Sequence, residues 1–130
     1  MTTPFWCLLI VALIPYVLAG AGGYLRFKQL GALDNKEPRT QALQVTGAAA
    51  RAVAAQANAW EAVAVFSAAV FVAHFAGADP GLSATAAVLF VVARVIHGIL
   101  YIADLDKLRS LVFLGGFGCA LWLFGLAIAA

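Results

Sequence analysis

Residues 51–75, RAVAAQANAWEAVAVFSAAVFVAHF, form a run long enough to cross a bilayer, yet they include Arg51, Asn58, Glu61 and His74. About 20 apolar residues in a helix span the ~30 Å hydrocarbon layer, so the length and the alanine, valine and phenylalanine content fit a membrane helix. The charges do not fit a helix surrounded by lipid, because an ionised side chain near the bilayer centre costs at least about 2.5–3.5 kcal/mol. The segment is therefore expected to be a membrane helix with protein or water along one side, which requires other helices around it.

The rest of the chain supplies them. No charge occurs before Arg26 and none after Arg109, so each end holds an apolar span, and residues 82–103 make a further one that carries Arg94 and His97. With residues 48–76 these are four spans. The links are polar or rich in breakers: residues 29–46 contain Gly31, Asp34, Asn35 and Pro38, residues 76–81 read AGADPG, and residues 104–109 read DLDKLR. The expected fold is all-α, an integral membrane up-down four-helix bundle forming a single domain over residues 1–130.

Composition agrees. The 130 residues are 65% hydrophobic and 11% charged, which excludes a disordered chain, and a net charge of +2 is too small and too dispersed for a nucleic-acid surface. Cys7 and Cys119 both lie in apolar runs, where a small thiol packs as an apolar side chain and no disulfide framework is expected. Ala19-Gly20-Ala21 resembles a signal-peptide cleavage site, but no basic stretch precedes it, so the first span reads as a retained helix, kinked at Pro15. Basic residues flank the first and third links (Arg26, Lys28, Lys36, Arg39 and Arg51; Lys107 and Arg109), which places those links in the cytoplasm and both termini on the other side.

Two polar stripes follow from helical geometry. At 100° per residue, Asn58 lies about 20° and Glu61 about 80° from Arg51. On the third span, Arg94, His97, Tyr101 and Asp104 fall at i, i+3, i+7 and i+10 and share one face. The two spans run in opposite directions, and both Glu61 and Arg94 sit roughly 14 Å below the cytoplasmic ends, so they are expected to pair. One such pair is enough to glue two helices; the further Arg51, Asn58, His97, Tyr101 and Arg109 in the cytoplasmic half point to a hydrophilic ligand. Guanidinium groups suit a carboxylate, Glu61 an ammonium and Asn58 a peptide bond, so a small peptide fits.

Other residues have plainer readings. His74 sits at the outer end of its span as an interfacial side chain, and His97 either bonds a facing carbonyl or serves the site. Trp6, Trp60 and Trp122 are scattered as packing or interface anchors. Two histidines without cysteine or carboxylate at ligand spacing predict no metal site, and the glycines at 20, 22, 23, 115, 116 and 118 predict close helix packing.

The run from Arg51 through Gln56 and Asn58 to Glu61, followed by Phe66, resembles the second-helix signature of the MAPEG superfamily, the membrane-associated proteins in eicosanoid and glutathione metabolism. The segment from Arg94 and His97 to Tyr101, with Leu108-Arg109-Ser110, is similar to its bacterial branch, and the likeness covers the whole chain. It implies a homotrimer with glutathione as co-substrate bound between neighbours on the cytoplasmic side, and a lipophilic small-molecule substrate arriving from membrane lipid. Arg51, Asn58 and Glu61 would hold glutathione, with Gln56 nearby, Arg94 and His97 in the same stripe and Tyr101 adjoining, and Arg109 would be the catalytic arginine that activates the thiol. The implied activity is a glutathione-dependent transferase or peroxidase acting on lipophilic electrophiles or lipid hydroperoxides. Ala54 and Ala62 stand where eicosanoid-type members have arginine and tyrosine, which supports an alternative, a non-catalytic binding or scaffold protein of the same fold. A small proton-coupled exporter is a third reading, but its acidic residue would be expected in the first span, which has none.

Overall fold

The computed structural model describes residues 1–130. Five helices follow one another: α1 (Thr3–Leu30), α2 (Pro38–Ala42), α3 (Gly47–Ala76), α4 (Pro80–Ile102) and α5 (Asp106–Ala129). All but α2 are long and apolar enough to cross a membrane. Their 28, 30, 23 and 24 residues correspond to roughly 35–45 Å at 1.5 Å per residue.

Local chemistry sets the ends. Asp79 caps α4: its Oδ1 accepts the Leu82 N–H at 2.7 Å, and Pro80 sits in the first turn where no amide hydrogen is needed. The α3 helix stops at Gly77, whose φ of 75° lies in the left-handed region, and the Ala78 N–H turns back to the Ala73 carbonyl at 3.0 Å. The α1 helix runs unbroken through Pro15, whose ring is fully buried.

All three links differ from the sequence expectation, the second because α4 starts at Pro80 and not at Leu82. The first link holds the short helix α2, started by Pro38 and steadied by Asp34 Oδ1, which accepts the Lys36 N–H at 2.8 Å. The third link is shorter than residues 104–109, because α5 starts at Asp106 and the Arg109 N–H already bonds the Leu105 carbonyl at 2.9 Å. Lys107 and Arg109 are therefore first-turn helical residues.

The long helices form a ring in which α1 packs on α3, α3 on α5, α5 on α4 and α4 on α1, and α3 also touches α4 across the middle. The two helices with ionisable residues inside their spans are thus the pair that meets at the centre, as desolvation requires. Close approach depends on small side chains: Ala52, Ala55, Ala59, Ala69, Ala73, Ala86, Ala87 and Ala120 are all buried. Phe66 of α3 and Phe90 of α4 stack at 4.1 Å between centroids, beside the fully buried Val11, Val70 and Leu123.

The outside is apolar too. Val17, Leu111 and Leu114 are each more than 60% exposed, and α1, α4 and α5 present rows of such residues. A contiguous apolar exterior of this extent suits hydrocarbon, which makes the chain an integral, multi-pass membrane protein.

Candidate functional site

The two polar stripes meet. Arg51, in the first turns of α3, donates from Nε to the Ile102 carbonyl at the end of α4 at 3.1 Å, and its Nη1 lies 3.5 Å from Asp104 Oδ2. Asn58, two turns further along α3, faces Arg94, two turns back along α4: Arg94 Nη2 donates to Asn58 Oδ1 at 2.7 Å and to the Asn58 carbonyl at 3.4 Å. Antiparallel neighbours must match in this way, seven residues one way against eight the other.

That register changes the expected pairing. Arg94 does not reach Glu61; Asn58 stands between them, its Nδ2 donating to Glu61 Oε2 at 3.2 Å. Glu61 lies almost a turn deeper than Asn58 and is exposed, whereas Arg94 is buried at 5% exposure. The physical reason is depth: the α3–α4 register brings the amide, not the carboxylate, level with the guanidinium. The polar group is therefore a relay of guanidinium, amide and carboxylate.

Toward the C-terminal end of α4 the site becomes aromatic. His97 is buried, its ring edge-on to Tyr101 at 5.6 Å and tilted against Phe113 of α5 at 6.0 Å. The Arg109 guanidinium carbon lies 4.2 Å from the centroid of the Tyr101 ring, a cation–π contact that fixes the arginine over the α4 face.

Two cavities follow this strip. The shallower, about 370 Å³, is lined by Asn58, His97, Tyr101, Arg109 and Ser110; the deeper, about 150 Å³, by Glu61, Arg94, Phe90, Phe113 and Phe117. Asn58 and Phe113 line both, so they form one groove between α3, α4 and α5. Arg94 Nε and His97 Nδ1 are buried without hydrogen-bond partners. Unused donors and acceptors beside a polar groove are what a hydrophilic ligand needs.

Of the residues singled out in the sequence, Asn58, Glu61, Arg94, His97, Tyr101 and Arg109 are brought to this groove. Arg51 is engaged with the α4 terminus instead. Gln56 lies in a separate cleft between α1 and α3, with Arg26, Arg39 and Trp60; two residues along a helix turn it about 200° away from Asn58. Phe113, which lines both cavities, was missed. The signal for it was the spacing Arg109, Phe113, Phe117 at i, i+4 and i+8 on one face of α5.

Fold and site together define a polytopic helical membrane protein whose two central helices bury a polar relay below one end of the bundle. The MAPEG family matches residues 3–129, and the chain belongs to that family, which places it among the membrane proteins of glutathione and eicosanoid metabolism. No curated protein matches the chain.

Proposed function

We propose that the protein is a glutathione-dependent membrane transferase or peroxidase acting on lipophilic electrophiles or lipid hydroperoxides. The observation that carries the proposal is the Arg94–Asn58–Glu61 relay, which opens into a groove with Arg109 at its outer end. These residues supply a guanidinium, an amide and a carboxylate, the complement of a zwitterionic tripeptide. The unpartnered Arg94 Nε and His97 Nδ1 fit such a ligand, because neither has a hydrogen-bond partner within the bundle.

Glutathione supplies a thiol nucleophile when bound; the protein's part is to hold and charge it. Asn58, Glu61 and Arg94 bind the peptide and its termini, and His97 and Tyr101 wall the groove. The positive guanidinium of Arg109 stabilises the thiolate, which is a minor species for an ordinary thiol of pKa ~8.5. Phe90, Phe113 and Phe117 form a dry inner wall against which a lipophilic acceptor can lie beside that thiolate. Arg51, joined to the Ile102 carbonyl and Asp104, holds the rim of the groove, and its outer nitrogen remains for a ligand carboxylate.

The groove is open along one side of the single subunit, with Glu61 exposed. This supports a homotrimer in which a neighbour closes each site, with the first and third links and the groove mouth facing the cytoplasm. The cleft containing Gln56, Arg26 and Arg39 lies on another face of the bundle, where a neighbour's groove would meet it.

A second reading, a binding or scaffold protein without turnover, is favoured by one observation: Ala62, where related enzymes have a tyrosine, lines the inner cavity with a methyl group alone. Ultraviolet difference absorbance in the thiolate band, with the detergent-solubilised protein titrated with glutathione, separates the two. The enzyme gives a saturable thiolate signal and turns over an aryl halide or a hydroperoxide. Binding without that signal leaves the scaffold reading, and correctly assembled protein with neither binding nor turnover removes the glutathione proposal.

A further inference from the structure

A further cavity, of about 330 Å³, lies at the opposite end of the bundle from Arg109, with Val70 in its floor some twelve residues, roughly 18 Å, further along α3 than Asn58. All four spans contribute to it: Phe5 from α1, Val70 and His74 from α3, Ser83 from α4 and Leu123 from α5, with Thr2 at the mouth. The volume is at the lower end of the range for small-molecule sites, ~300–1,000 Å³.

Its chemistry is specific. The Ser83 hydroxyl is buried, with the residue 7% exposed, and has no hydrogen-bond partner. A buried hydroxyl without a partner costs stability unless something supplies one. The floor is apolar: Val70 and Leu123 are almost completely buried, and Phe5 lies edge-on to the His74 ring at 5.0 Å. No Lys, Arg, Asp or Glu side chain lines the cavity; its polar lining is the Met1 amino terminus, Thr2, Thr3, His74 and Ser83. Ser83 is the fourth residue of α4, within one turn of the helix end and so at the level where a bilayer changes from headgroup to chain.

We propose that this cavity binds a neutral acyl ester, with Ser83 Oγ donating to the ester carbonyl and the hydrocarbon chain lying on Phe5, Val70 and Leu123. An uncharged carbonyl at the interface with an alkyl chain below it is the ligand that an orphan hydroxyl over an apolar floor selects. The ester can come from a single-chain neutral lipid or from a glycerophospholipid of the bilayer, which share that carbonyl. The site is independent of the glutathione groove.

Thermal unfolding of the assembled protein in a maltoside detergent tests this, with monoolein, its ether analogue lacking the carbonyl, sodium oleate and dioleoylphosphatidylcholine added in turn. Monoolein should give a saturable rise in melting temperature, with about tenfold weaker apparent affinity for the ether, the value of one hydrogen bond to a carbonyl. Ser83→Ala, which removes only one oxygen, should erase the ester–ether difference, and Leu123→Phe should weaken both by filling the floor. A shift with phosphatidylcholine equal to that with monoolein also supports the site and assigns the ester to the bilayer. Equal shifts for ester and ether in the unaltered protein, a persisting difference in Ser83→Ala, or a larger shift with oleate would each overturn the proposal.

Discussion

Arg94 crosses from α4 to α3 to reach the side-chain oxygen of Asn58 at 2.7 Å, the shortest polar contact between the two central helices. It is also a contact on which a buried charge depends, since Arg94 is 5% exposed and its Nε is already without a partner. Hydrogen bonds between membrane helices average about 0.6 kcal/mol, because the unfolded chain in the bilayer also finds partners. Stranding a guanidinium is costlier. Asn58→Ala should therefore lower stability by about 1–3 kcal/mol, whereas Glu61→Gln, which still offers an oxygen to the Asn58 amide, should cost less than 1 kcal/mol. Reversible unfolding in mixed micelles measures both; equal losses for the two variants would contradict a relay centred on Asn58.

A similar comparison applies at the rim. Asp104 has a φ of 64°, in the left-handed region, at the end of α4, where the Leu105 N–H bonds the Leu100 carbonyl at 3.1 Å. Glycine is at ease there and Asp is not, so Asp104→Gly should gain up to about 1 kcal/mol of backbone energy. Against this stands the ion pair to Arg51, but with the two side chains 31% and 70% exposed it is worth at most about 1 kcal/mol. Asp104→Gly should be close to neutral in thermal unfolding. Arg51→Ala, which also frees the Ile102 carbonyl, should be clearly destabilising and should raise amide exchange over residues 103–105. The opposite ranking would mean that the ion pair, not the carbonyl bond, holds this corner.

Much of this was legible in the sequence because it is local. Four apolar spans, the links between them and the two polar stripes depend only on run length, breaker chemistry and the helical period, all of which a linear chain displays. The choice of Asn58 over Glu61 by Arg94 is different in kind. It depends on how far α3 slides along α4, and that is set by alanine packing and the Phe66–Phe90 stack rather than by any charged residue. Gln56 was separable from Asn58 by angle alone, and only its place in a family motif grouped the two. Phe113 was missed because an apolar residue in a membrane span has no distinctive chemistry of its own, and only its i+4 spacing from Arg109 marked the face it shares.

The contact between α4 and α5 offers a test of that packing. A Cβ built on Gly116 would lie 3.3 Å from the Ala93 Cβ and 4.0 Å from Arg94 Cδ. The Ala93 methyl is attached directly to the α4 backbone and cannot swing aside, so Gly116→Val should separate the helices and cost about 1–3 kcal/mol. Ala93→Gly in the same chain should restore part of the loss. If the two substitutions add without coupling in a double-mutant cycle, the helices do not approach as closely as the Gly116–Ala93 contact requires.

The proposed role of Arg109 makes a signed prediction for pH. Its guanidinium is fixed 4.2 Å from the Tyr101 ring centroid and faces the shallower cavity, and a fixed positive charge favours the thiolate over the thiol. The transferase rate should then rise with pH through a midpoint below that of a free thiol, ~8.5. Arg109→Ala should move the midpoint upward toward the free-thiol value, and Arg109→Lys should move it less. At neutral pH the alanine variant loses most of its rate because little thiolate is present, and it should recover toward the unaltered protein as pH passes 9. Arg94 substitutions should instead raise the glutathione KM with the midpoint unchanged, since they remove binding and not ionisation. A rate loss in Arg109→Ala that is uniform across pH would show that the arginine positions the peptide without charging the sulfur.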